Sequence, residues 1–258
     1  MKLYFKCMAM LLKSQMQYKS SFFMTMLGQF LTSFTAYLGV YFMFDRFYSV
    51  DGFTFAEILI CFAVTLTAFS LAECFVRGFD IFPRLIQSGN LDRILVRPRS
   101  EIFQVLTSNM DFTRAGRFIQ SIVMFAYAVR VGEIAWSADK IAAVALMLAG
   151  GFAVFSALFM LYAGISFFTI EGLEFMNIFT DGSREFGKYP LSIYGEGVLK
   201  FLTYVIPIAL FQYYPFLYLI GRSDDARLIF VPLAGFAFML PCLAFFKWGL
   251  KRYKSTGS

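Results

Sequence analysis

The sequence contains no histidine. That absence removes histidine triads, imidazole metal sites and histidine proton relays together. The four cysteines, Cys7, Cys61, Cys74 and Cys242, form no CxxC pair and no metal-like spacing. Three of them sit inside apolar stretches, where a free thiol behaves as a small hydrophobe, so neither a disulfide nor a metal is expected. A GxxxxGK(S/T) phosphate loop is also missing, and the polar segments are too short for a nucleotide-binding domain. Charge is scarce: 16% of the residues are charged, where a soluble domain carries about a quarter.

What the chain has instead is apolar surface. Of its 258 residues 59% are hydrophobic, and 35 are phenylalanine. A soluble core cannot hide that much, so lipid must be the solvent for much of the chain. The net charge of +6 then reads as a cytoplasmic bias of basic residues rather than as a nucleic-acid footprint.

In chain order, residues 1–20 carry Lys2, Lys6, Lys13 and Lys19 and no acid. Leu3, Phe5, Met8, Leu11 and Leu12 are spaced for a helix lying along the membrane surface, lysines towards anionic headgroups. A signal peptide is disfavoured, because the apolar run that follows is too long and lacks a small-residue cleavage site. Spans are expected at about 21–44, 53–76, 118–136, 141–168, 201–221 and 228–246, giving an all-α polytopic membrane protein read as one domain, 1–258. Both termini are expected in the cytoplasm. In that layout only Arg46, Arg130, Lys140, Arg222 and Arg227, of 23 Lys and Arg, lie outside.

Individual residues refine this picture. Glu57 and Glu73 fall near the two ends of the second span and read as interfacial carboxylates, with a transport-coupling pair as the alternative. Arg130 at mid-membrane would cost about 2.5–3.5 kcal/mol, so it is expected to snorkel outward, with Glu133 in range at i+3. The fourth span is longer than one crossing needs and should tilt, kink near Gly150 and Gly151, or run on into an interfacial turn. Ala149, Ala153 and Ala157 give it a smooth face, read as internal packing. The spans at 201–221 and 228–246 hold Pro207, Pro215, Pro232 and Pro241. Proline frees backbone carbonyls, tolerated in a membrane only against protein or a wet cavity, so these four are candidates for lining a path.

The densest stretch is the basic elbow at 77–117. Residues 80–87 form a short helix with Ile81, Phe82, Leu85 and Ile86 apolar. Ser88, Gly89 and Asn90 turn the chain, with Gly89 able to take positive φ. Leu91, Ile94 and Leu95 resume a helical spacing that Pro98 stops. The result is either a rigid exposed knob or a surface loop that satisfies the charge rule and nothing more.

The pattern Gly-x-Leu-Asp-x-x-Leu-x-Arg-Pro, here Gly89, Leu91, Asp92, Leu95, Arg97 and Pro98, resembles the signature of permease subunits of type-2 ATP-binding-cassette (ABC) exporters, in the branch that often pairs two different permeases. KYPLSIY at 188–194 and VIPIALFQYYP at 205–215 are similar to that branch too. The resemblance implies a cytoplasmic coupling helix between the second and third spans, seated in a groove of an ATPase. It also implies two copies of the ATP-binding subunit as partners, with ATP and Mg bound there and no cofactor on this chain. A second permease, homologous or identical, would complete the path. Phe82, Leu85, Ile86, Leu91 and Ile94 would form the apolar contact. Arg84, Asp92, Arg93 and Arg97 would supply polar pairing, with Asp92 and Arg93 or Arg97 able to pair within the elbow instead. The chain itself would be no enzyme, working in the cytoplasmic membrane and bound to lipid but not to nucleic acid.

Charge-poor span middles and walls rich in Phe, Tyr and Met point to a hydrophobic or amphipathic cargo rather than a small ion. Two rivals remain. A lipid-modifying membrane enzyme would need a carboxylate cluster, for which Glu171, Glu174, Asp181 and Glu185 come closest. A lone ion-coupled carrier would need charged span interiors and an internal repeat.

Overall fold

The computed structural model describes residues 2–132, 134–169 and 175–254. Glu133, Glu171 and Glu174 lie outside the described residues. Among the described residues the secondary structure is helical, apart from an isolated antiparallel bridge between Val50 and Phe53. α1 (Lys2–Gln15) buries no residue and leaves Leu3, Phe5 and Met10 exposed, as a helix lying on a surface would. Its last residue is tied down: the Gln15 side chain donates to the Met110 carbonyl and accepts from the Phe112 amide at 3.1 Å.

α2 (Lys19–Phe47) runs 29 residues, and a tight turn leads into α3 (Phe55–Phe75). Thr54 caps α3 with a reciprocal box: its hydroxyl accepts from the Glu57 amide while the Glu57 carboxylate accepts from the Thr54 amide. That cap explains Glu57 without any transport role. α3 is the axis of the molecule, with Ile58 to Ala68 almost completely buried. The elbow follows as α4 (Arg77–Asp80), α5 (Phe82–Gln87), α6 (Asn90–Leu95) and α7 (Glu101–Ser108).

α8 (Ala115–Val131) packs on α3 and α2. α9 (Ala138–Ile165) packs on α3 and, most extensively, on α14 (Ala234–Arg252). α9 passes through Gly150 and Gly151 without a break. A Cβ at Gly150 would strike Pro232, and one at Gly151 would strike Ala68 and Phe211, so the pair serves close approach of neighbours. Ala153 and Ala157 are buried inside the same packing.

Between α9 and α14 the chain forms α10 (Met176–Phe186), α11 (Glu196–Tyr204), α12 (Ile208–Gln212), α13 (Tyr214–Leu219) and a 3-10 run (Ala226–Leu233). The expected fifth span is sharply broken: α11 meets the α12 and α13 segment at 93°, next to Pro207, where no helix can run on undisturbed.

Among the described residues three helical runs are long and apolar enough to cross a membrane: α3, α9 and 226–252. The bent pair makes a fourth if it counts as one span. The expected first and third spans are weaker by this measure. α2 is diluted by Thr25, Gln29, Thr32 and Thr35, and α8 has 17 residues with Arg117 and Arg130 among them. Arg130 is exposed near the end of α8.

Candidate coupling elbow and inner cavities

The elbow is a folded unit. Gly89 sits at φ +66° between α5 and α6, a left-handed position that glycine takes without a Cβ penalty. The side-chain amide of Gln104 on α7 donates to the carbonyls of Ile94 and Arg99, both at 2.9 Å, tying α6 to α7. A Cβ at Gly78 would run into the Val105 carbonyl, so α4 and α7 touch backbone to backbone.

The faces of the elbow are sorted differently from the sequence reading. Phe82 and Leu91 are fully buried, and Ile86 and Ile94 nearly so, all within the chain's own core. Phe82 packs edge-on against Phe167 and Phe246, the latter on α14. These four residues therefore hold the knob onto the membrane helices and are not available for the partner contact first assigned to them. Leu85 is half-buried against that core. Arg84, Arg93 and Arg97 are exposed, together with Leu95 and Val96, the last at 83%. Asp92 lies beside Tyr253, where burial and the carboxylate together push the tyrosine's phenol above its ordinary range.

Behind the elbow lies a cluster that sequence reasoning did not assemble. Glu73, at the end of α3, is 4% exposed. Its carboxylate meets Arg77 of α4 at 3.2 Å, Arg114 at 3.3 Å and Arg117 of α8 at 2.7 Å. Arg77 also pairs with Asp80 at 2.7 Å, and Arg114 with Asp111 at 2.9 Å and Gln29 of α2 at 3.2 Å. One buried carboxylate thus ties α2, α3, the elbow and α8. In sequence, a glutamate near a span end looks interfacial. The signal available was the number of arginines at 77–117.

Two cavities flank this cluster. The first, about 420 Å³, opens beside the elbow and is lined by Glu73, Arg77, Asp80, Arg84, Arg114 and Arg117, with Tyr162 and Asp181 opposite. The second, about 470 Å³, lies between α2, α3 and α10. Arg117 lines both. The second exists because α10 and the turn after it press against the middle of α3. Thr65 donates to the Gly187 carbonyl at 2.9 Å, Arg184 lies over the Phe69 ring, and Lys188 lies over the Phe62 ring. Span middles expected to be charge-free therefore have Arg184, Glu185 and Lys188 beside them.

Pro207, Pro215 and Pro232 are buried in helix packing, while Pro241 faces outward from α14. None of the four lines either of these cavities. Asp181 and Glu185 are ion-paired with Arg184, and Glu185 also with Lys188. Among the described residues no three metal-ligating side chains gather.

These features define a multi-pass α-helical membrane protein with an ordered polar elbow. The model of the ABC-2 family transporter proteins matches residues 30–257, and the chain belongs to that family. It is thus the membrane component of an ABC-2 type transporter, in a family of typically non-catalytic subunits that work with ATP-binding partners. No curated protein and no solved structure matches it.

Proposed function

We propose that this chain is one half of the translocation path of an ATP-driven exporter and is moved through its elbow by a separate ATPase. The supporting observation is Glu73. It links the elbow, through Arg77, to α8 through Arg117 and towards α2 through Arg114 and Gln29. Motion imposed on the elbow is passed to helices on both sides of the second cavity, which suits a two-state path driven from outside.

In this reading α2, α3, α8, α9, the bent α11 to α13 segment and α14 are six spans, with both termini in the cytoplasm. The docking surface is the outer face of the elbow, Arg84, Arg93, Val96 and Arg97 with Leu85 at its margin, and its partner is a groove carrying acidic side chains. Gly89 sets the shape of the knob; Phe82, Ile86, Leu91 and Ile94 anchor it from beneath. A second permease, identical or homologous, closes the path, and two ATPase subunits supply the work. The cargo is amphipathic.

Affinity purification from native membranes in mild detergent tests this. The expected result is co-purification of an ATP-hydrolysing subunit, lost when Arg84, Arg93 and Arg97 are all changed to Glu. Recovery of a chain active alone, with no such subunit, would overturn the proposal.

A further inference from the structure

We infer that the groove between α2 and α8 is a binding site for a small uncharged aromatic molecule that carries a hydroxyl or N–H donor. The inference goes beyond the permease reading and does not rest on it.

One wall is a face of α2. The rings of Phe30 and Phe34 stack at 6.3 Å and 11°, and those of Phe34 and Tyr37 at 5.6 Å and 26°. The other wall is a face of α8, where Gln120, Val123, Met124 and Tyr127 follow one another at helical spacing. Phe55 of α3 closes one end, its ring 6.4 Å from that of Tyr37 and 6.5 Å from that of Tyr127. At the other end the hydrogen bond from Arg114 to Gln29, 3.2 Å long, fastens the start of α8 to α2. The groove opens sideways, with Phe34, Val123 and Tyr127 exposed at its rim. Its volume is about 160 Å³, close to the ~150 Å³ that takes up one benzene ring in an engineered protein cavity.

Gln120 makes this more than an apolar cleft. It lines the groove, it is 3% exposed, and its Oε1 has no hydrogen-bond partner. Its Nε2 reaches only the Met124 sulfur, a weak acceptor, at 3.9 Å. The next residue shows the contrast: Ser121 donates to the Phe118 carbonyl and pairs with the Thr67 hydroxyl, both at 2.8 Å. A buried carbonyl oxygen without a donor is costly, most of all in a bilayer, where no water replaces the missing partner. Lipid tails bring no donor, so they can cover the rings but leave Oε1 unpaired. Among the described residues no charged side chain lines the groove, so a charged ligand would stand there without a counter-ion. The chemistry that fits is a neutral ring that packs between aromatic walls and donates one hydrogen bond, as a phenol or an indole does.

The test uses the full chain in phosphatidylcholine nanodiscs near neutral pH, and two probes with the same ring. These are 4-fluorophenol, which donates a hydrogen bond, and 4-fluoroanisole, in which a methyl group replaces the donor proton. Fluorine NMR reads the binding of each in excess of that to empty discs. The phenol is expected to bind about tenfold more tightly. Gln120→Leu should bring the two probes to equal affinity. That variant exchanges an unpaired amide for an apolar group of similar size, so the thermal midpoint should not fall. Val123→Trp is a second variant, placed at the exposed rim so that the core is untouched. It fills the opening and should weaken both probes by about tenfold or more. Absence of binding above empty discs, equal affinities on the unaltered chain, or a phenol preference that survives Gln120→Leu would overturn the inference. So would undiminished binding in Val123→Trp. None of these results bears on whether an ATPase co-purifies, so the two readings fail separately.

Discussion

Arg117 Nη1 lies 2.7 Å from Glu73 Oε2, joining the start of α8 to the end of α3 across 44 residues of sequence. The whole elbow is contained in that interval. The pair therefore closes a loop, and fastens the elbow to the membrane helices at both ends.

Glu73 is the position at which the cluster is most exposed to damage. Glu73→Gln leaves three arginines facing one another without their shared carboxylate. Breaking a buried ion pair by removing one member typically costs about 3–5 kcal/mol. A drop in the thermal midpoint in a fixed detergent is expected for Glu73→Gln, with a smaller drop for Arg77→Gln, since Glu73 then keeps Arg114 and Arg117. An unchanged midpoint in Glu73→Gln would remove this residue from its central place.

Gly78 is a second such point. The α-hydrogen that a Cβ would replace faces the Val105 carbonyl, which belongs to backbone and cannot swing aside. Gly78→Ala should force α4 and α7 apart at about 1–3 kcal/mol, the usual cost of overpacking. Limited proteolysis should then cut the elbow while the spans stay protected. Equal resistance to protease would contradict the close approach.

Substitutions on the two faces of the elbow should behave differently. Leu91→Asp buries a charge in a site with 0% exposure and should unfold the elbow, lowering the yield of inserted protein. Arg97→Glu, on the exposed face, should leave yield and stability within about 0.5 kcal/mol and weaken retrieval of the ATPase in a salt-dependent way. If Leu91→Asp inserts and melts normally, the inward face has been assigned wrongly.

Asp80 supplies a pH dependence. Burial is the largest influence on it and lifts its carboxyl above the ordinary carboxylate range, Arg77 opposing and Asp181 reinforcing that shift. The folded state then holds the proton more tightly than the unfolded chain, so this group adds stability as pH falls from the raised value towards about 4 and loses it as pH rises. Asp80→Asn should flatten that part of the stability profile, read by chemical unfolding in detergent across the acidic range. A profile identical to that of the unaltered chain would count against the shift.

Much of the elbow could be read from the sequence, because its signals are local. Gly89 between two apolar helical spacings predicts the turn observed at φ +66°. Pro207 predicts a break, and the chain bends there by 93°. Which elbow residues face inward could not be read, because an amphipathic helix on a membrane protein has two apolar destinations, its own core and a partner. The second cavity was hidden for another reason. Thr65 and Gly187 are 122 residues apart, and no periodicity in either segment encodes their meeting. Arg184 and Lys188 sit in a mixed-charge stretch that reads as solvated, and only packing of α10 against α3 carries them to the body of that helix. Glu73 was visible but misread, since a span-end carboxylate looks the same whether water or three arginines surround it.

Reconstitution separates a half-path driven from outside from a carrier that works alone. The purified chain is placed in liposomes with and without the ATPase that co-purifies with it, and movement of a fluorescent amphiphile against its gradient is followed with ATP on the elbow side. Uphill movement is expected only when the ATPase is present, and none after the elbow arginines Arg84, Arg93 and Arg97 are reversed in charge. Uphill movement by the chain alone would contradict the half-path.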